Sequence, residues 1–176
     1  MPPAIGQPAP NRKSLYAGSR TRNIASAANT ITTAANAIVQ MGSVGKKIRT
    51  LLGDRAAVRE AHPITLPNDS EPEPDIAIVR APNRQYLTHH PYPDDIFWLI
   101  EYANTTLKKD LNDKKRVYAE AGIEEYWVVN LQTSELIVFR DRAIDTYESE
   151  TVLATGNISP LSFPDLQIDV IKLFTV

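Results

Sequence analysis

The stretch FWLIEYANTTLKKDLNDKKRVYAEAGIEEYWVVN, Phe97 to Asn130, decides the fold. Its first residues continue from Ile96 as IFWLIEYA, an apolar run rich in aromatic and β-branched side chains, which reads as a strand. From about Leu107 to Ala121 the apolar residues recur at helical spacing, and Gly122 is placed to close the helix. EYWVVN returns to an apolar strand. Strands that are apolar on both faces are expected where helices cover a sheet. One residue disturbs the pattern. Glu101 puts a carboxylate into an apolar strand, where desolvation is costly unless something pairs with it. It is either a badly placed surface residue or one half of a site.

Upstream, DIAIV (Asp75 to Val79) is a short apolar strand preceded by the turn-rich PNDSEPEP. Before that, AAVREAHPITL looks extended, with Val58, Ile64 and Leu66 alternating with polar neighbours and Pro63 marking an edge or a bend. Ile31, Ala35, Ile38, Met41, Gly45, Ile48 and Leu52 recur at helical spacing, which predicts a helix over 30–52 stopped by Gly53. Gly42 and Gly45 weaken that helix, each by about 1 kcal/mol relative to Ala. Downstream, LQTS separates EYWVVN from ELIVFR, a hairpin signal. A further strand is expected over Tyr147 to Leu153. Residues 1–29, with prolines, scattered Arg and Lys and no apolar period, read as an atypical, poorly structured tail. Residues 30–176 read as a single domain of α/β (α+β) class, a mixed sheet flanked by helices.

The chain has 176 residues, enough for one domain with a substantial core. A net charge of −2 shows no broad basic excess, although a local basic face suffices to bind nucleic acid. The sequence contains no cysteine, which excludes disulfides and thiolate metal sites and makes a cytoplasmic location the default. No apolar run approaches a membrane span and the start lacks a secretory apolar core, so no membrane partner is expected. There is no nucleophile elbow and no phosphate-cradling glycine loop, and no small-molecule cofactor is expected. His62, His89 and His90 sit in proline-rich flanks whose spacing matches no common zinc motif. Trp98 and Trp127 lie inside strands and read as core.

Three charged residues interrupt apolar elements in a workable order. Asp75 opens DIAIV, Glu101 lies near the end of the next strong strand, and Lys114 lies in the helix that follows. Leu107, Leu111, Tyr118 and Ala121 fall within about 80° of arc on that helix, and Lys114 falls inside the same arc. Lys108, Lys109, Lys115 and Arg116 point elsewhere and form a basic surface. Two carboxylates from adjacent strands suit a hard cation such as Mg²⁺ or Mn²⁺, with the Tyr102 backbone carbonyl as a further oxygen ligand. Such a cation lowers the pKa of a bound water, and the Lys114 ammonium would orient that water or offset charge on a phosphate. Each residue also has a plain structural reading: a turn acid, a strand-end carboxylate, a lysine lying along apolar surface.

EPEPDIAIVR, LIEYANTTLKKDLNDKKRVYAEAGIEEYWVVNL and SPLSFPDLQIDV together resemble the restriction-endonuclease-like proteins numerous in cyanobacterial genomes, of the PD-(D/E)XK nuclease superfamily. The resemblance covers about residues 45–176. It implies a restriction-endonuclease-like core and a metal-dependent endonuclease acting on DNA, with Mg²⁺ or Mn²⁺ as cofactor. Cleavage of both strands would suit a homodimer. Pro74-Asp75 looks like the superfamily's PD and Glu101 like its second acid. The usual lysine position is occupied by Ala103, and Lys114 on the next helix matches the displaced lysine of this family. Lys108, Lys109, Lys115 and Arg116 would then meet the DNA backbone, and Glu125 reads as a structural partner. Relatives usually begin with a helix and a strand bearing another glutamate, which residues 1–29 do not match. The alternative is a catalytically inactive nuclease-like module that binds nucleic acid or a protein partner.

Overall fold

A computed structural model describes residue 35 and residues 38–103 and 107–175, with the backbone alone over 107–111. The expected tail over 1–29, and positions 30–34 of the expected first helix, lie outside the described residues. The first described helix, α1, runs over 38–52. It buries Val44, Ile48 and Leu52, whereas Ile38 is 64% exposed. Helical spacing alone therefore extended the buried apolar stripe one turn too far. A Cβ at Gly45 would meet only the side chain of Glu60, a flexible group that can shift aside.

The strands of the main sheet are β1 (Ala56–Glu60), β2 (Ile76–Arg80), β3 (Ile96–Ala103), β4 (Tyr126–Asn130), β5 (Glu135–Arg142) and β6 (Tyr147–Leu153), with helix α2 (Leu107–Ala121) between β3 and β4; two short strands, Asn157–Ile158 and Ile168–Asp169, pair separately. The six strands of the main sheet lie in sequential order. All neighbours are antiparallel except β3 and β4, which run parallel. That single parallel pair needs a long crossover, and α2 is the crossover. The extended reading of residues 56–66 is corrected: β1 ends at Glu60. Beyond it Ile64 and Leu66 are buried from an irregular segment rather than from a strand.

The core has two layers, one on each face of the sheet. Val58, Ile76, Ile78, Trp98, Ile100, Trp127 and Val129 pack with α1 and with the closing 3-10 turn Val170–Leu173. Ala77, Val79, Leu99, Tyr126, Val128 and Phe139 pack with Tyr118 and Ala119 of α2. Every residue of β4 is buried, which explains its unbroken apolar sequence. Helix α2 ends where Gly122 takes φ +96. There Gly122 N–H donates to the Ala119 carbonyl and Ile123 N–H to the Tyr118 carbonyl, both at 3.0 Å. This six-to-one and five-to-two pairing is the Schellman arrangement, and it fixes the last turn that carries Tyr118. The β4–β5 hairpin starts with Asn130 Oδ1 accepting from Gln132 N–H at 3.0 Å. Such a side-chain turn seeds the reversal that LQTS predicts.

Candidate active site

Ile76 of β2 lies opposite Ile100 of β3. One further step along the register sets Asp75 opposite Glu101. Directly opposed residues of an antiparallel pair share a face. Asp75 shares the face of Ala77 and Glu101 that of Leu99, the layer covered by α2. The antiparallel register therefore brings both acids to the face beneath the helix that carries Lys114.

Glu101 is buried, at 5% exposure. Both of its oxygens are held from α2. Lys114 Nζ lies 2.8 Å from Oε2, and the Tyr118 hydroxyl donates to Oε1 at 2.8 Å. Burial pushes the Glu101 carboxyl above the ordinary carboxylate range; Lys114 and Tyr118 pull it down and the negative charge of Asp75 pushes it up further. The interruption of the apolar strand is thus a partnered carboxylate facing a second one. Burial, with the negative Glu101 next in weight, raises the Tyr118 hydroxyl far above its usual value, so it remains a donor.

Asp75 is half-buried, and its Oδ2 accepts from the Tyr102 amide at 2.7 Å. Among the described residues Oδ1 accepts no hydrogen bond. In extended chain the N–H and C=O of one residue lie on the same edge, so the Tyr102 carbonyl opens beside Asp75 rather than into the β3–β4 ladder. The Tyr102 side chain turns to the opposite layer. Burial raises its hydroxyl, and Asp75 and Glu60 add to the rise. Asp75, Glu101 and the Tyr102 carbonyl make an all-oxygen set on one rim of the sheet, which fits a hard cation that keeps several waters. Among the described residues no group of three or more His, Asp or Glu side chains is gathered into a cage.

The basic residues of α2 do not act as one patch. Lys115 lies over the Phe139 ring at 4.6 Å and 3.5 Å from Glu150 Oε2, its side chain only 20% exposed. It turns to the sheet alongside Lys114, against the helical-face expectation. A long flexible stem can lean from the edge of the apolar arc onto a ring. Arg116 is exposed and sits 3.9 Å from Glu120 one turn on. The side chains of Lys108 and Lys109 lie outside the described residues.

Glu125 is a structural partner. It is fully buried and accepts from Trp127 Nε1 at 2.8 Å, Arg140 Nε at 2.8 Å and Leu161 N–H at 2.7 Å. It ties β4 and β5 to the segment after β6. The sequence missed Tyr118, which counted only as an apolar-face residue. Its place one turn after Lys114 was the available signal, since residues four apart on a helix reach the same neighbour. A groove of about 550 Å³ between α1 and the closing segment is lined by Val44, Ile48, Leu51 and Leu173, and none of Asp75, Glu101 or Lys114 borders it. Among the described residues no helix is long and apolar enough to cross a membrane.

The chain matches the Uma2 family, described as "Putative restriction endonuclease", over residues 35–171. A solved structure described as "a putative nuclease belonging to DUF820" from Anabaena variabilis aligns with a TM-score of 0.62 at 15% identity, covering 79% of this chain and 79% of its own. At that identity the likeness speaks for the fold. It bears out the expected restriction-endonuclease-like core, a mixed sheet flanked by helices. No curated protein matches the chain.

Proposed function

Because this chain belongs to the Uma2 restriction-endonuclease family, we propose that it is a metal-dependent endonuclease that hydrolyses phosphodiester bonds of DNA. The observation that carries this reading is the meeting of Asp75, Glu101 and Lys114 at one rim of the sheet, with Glu101 buried and held from α2. The Asp75 and Glu101 carboxylates and the Tyr102 carbonyl would hold Mg²⁺ or Mn²⁺. When bound, such an ion supplies a water of lowered pKa and offsets negative charge on the phosphate.

The chain's own residues divide the remaining work. Asp75 is oriented by its bond from the Tyr102 amide, which leaves its other oxygen available to an ion. Tyr118 and Lys114 keep Glu101 aligned despite its burial. The Lys114 side chain is 43% exposed, so its amine can swing from Glu101 towards a phosphate oxygen or the attacking water. There it stabilises charge that builds as the water oxygen bonds to phosphorus and the leaving P–O bond breaks. Lys108, Lys109 and Arg116, on the same helix, would meet the DNA backbone. Two copies acting together would cut both strands.

A second reading has one observation in its favour. Lys114 and Tyr118 each hold one oxygen of Glu101, a pairing that a non-catalytic binding module would also keep. Incubation of purified protein with supercoiled plasmid and Mn²⁺ separates the two. Nicking by wild type that is lost in Asp75→Asn and Lys114→Ala supports the nuclease. Plasmid retained on the protein but never cut supports the binding module.

A further inference from the structure

We propose that Tyr118 is a positioning residue for Glu101, the fixed half of a two-pronged grip whose movable half is Lys114. The inference rests on the metal-site reading above and assigns work within it. Lys114 and Tyr118 are one helical turn apart and reach different oxygens of the same carboxylate, each at 2.8 Å. With both oxygens engaged, rotation of the carboxylate would break one of the two contacts, and each oxygen keeps a further lone pair for another partner.

The two prongs differ in freedom. Lys114 has a four-carbon stem and a side chain 43% exposed, so its amine can exchange Glu101 for water or phosphate. Tyr118 is 1% exposed, and its ring stands edge-on to Tyr126 with centroids 5.1 Å apart. The helix end beneath it is locked by the bond from Ile123 N–H to the Tyr118 carbonyl. Its hydroxyl therefore has no solvent to turn to, and a hydroxyl donating to a carboxylate makes one of the stronger hydrogen bonds. When Lys114 leaves Glu101 to meet water or a phosphate oxygen, Tyr118 keeps the carboxylate in place. Groups that orient metal ligands from behind commonly change metal affinity about ten- to a hundred-fold when removed.

The test is Mn²⁺ binding by calorimetry on the full chain, wild type against Tyr118→Phe and Tyr147→Phe. Tyr147 is the control, since its buried hydroxyl donates to the Ile123 carbonyl at 2.8 Å and to neither acid. Tyr118→Phe is expected to weaken Mn²⁺ binding about ten- to a hundred-fold while Tyr147→Phe leaves it unchanged. The Mn²⁺ concentration for half-maximal cleavage should rise in step, with most of the rate recovered at saturation. Equal Mn²⁺ affinity in wild type and Tyr118→Phe overturns the positioning role and leaves the metal site standing. No Mn²⁺ binding by wild type removes the metal site and this role with it. A second measurement needs no variant. In wild type saturated with Mg²⁺, the Tyr118 hydroxyl proton should stay slow to exchange by NMR, and free exchange of that proton would overturn the role.

Discussion

Lys114 Nζ lies 2.8 Å from Glu101 Oε2, and the two side chains differ in exposure, 43% against 7%. A desolvated acid is thus paired with an amine that reaches water. This asymmetry predicts separable effects. Lys114→Ala removes the amine that would stabilise charge at the phosphate, and turnover should fall about 10²–10³-fold. Mn²⁺ affinity should hold or rise, because the ammonium no longer competes for Glu101. Single-turnover nicking and calorimetry measure the two effects independently. Simultaneous loss of binding and turnover would make Lys114 part of the scaffold of the site instead.

A pH dependence of stability follows from Glu101. Its pKa is raised, first by burial, with Asp75 adding to the rise and Lys114 and Tyr118 opposing it. A raised carboxyl favours the neutral form in the folded state. The associated stability is fully present below the ordinary glutamate pKa and is lost as pH rises through the raised value. Glu101→Gln has no proton to lose there and keeps an oxygen for the Tyr118 hydroxyl. Its unfolding temperature relative to wild type should climb as pH rises from about 4 towards neutrality, where unperturbed glutamates have already ionised. Thermal melts across that range decide it, and a constant offset at all pH values would mean that the carboxylate is no burden to the fold.

Much of this fold was legible because its strongest elements carry unmixed signals. The strand over Ile96–Ala103, the helix over Leu107–Ala121 and the strand over Tyr147–Leu153 appear where period and turn residues put them. The acid pair was legible for a related reason, since a carboxylate among apolar strand residues marks a cost that a partner must offset. What the sequence hid depended on tertiary contact. Ile38 fits the helical stripe but stays exposed, and Lys115 fits a solvated face but finds the Phe139 ring. Tyr118 was concealed by its own chemistry. Its ring belongs to the core while its hydroxyl belongs to Glu101, and a residue-level apolar label records only the ring.

Glu125 separates stability from chemistry. Its carboxylate satisfies Trp127, Arg140 and the Leu161 amide while fully buried. Removing one partner of a buried ion pair typically costs about 3–5 kcal/mol, because the groups left behind lose their bonds without regaining water. Glu125→Ala should lower stability by that order in urea unfolding. The Mn²⁺ affinity of the remaining folded protein should match wild type. A variant of normal stability with weakened Mn²⁺ binding would move Glu125 from the scaffold into the site.

Lys115 and Arg116 are adjacent in sequence, yet their surroundings predict opposite phenotypes. Lys115 stacks on Phe139 and faces Glu150, so its charge is engaged within the protein. A cation over an aromatic face at a partly exposed site contributes about 0.5–1 kcal/mol, and Lys115→Ala should lose that much stability. DNA affinity and its salt dependence should barely change. The Arg116 side chain is 62% exposed and lies 3.9 Å from Glu120, itself 52% exposed, a contact that salt and water screen. If Arg116 meets a phosphate, Arg116→Ala should weaken binding of an uncut DNA duplex and reduce the slope of log affinity against log salt by about one, since each neutralised phosphate releases about one counterion. Fluorescence anisotropy at several salt concentrations, with Ca²⁺ in place of Mn²⁺ to suppress cutting, measures both variants together. A reduced slope in Lys115→Ala, or an unchanged one in Arg116→Ala, would place the DNA on a different face of the helix.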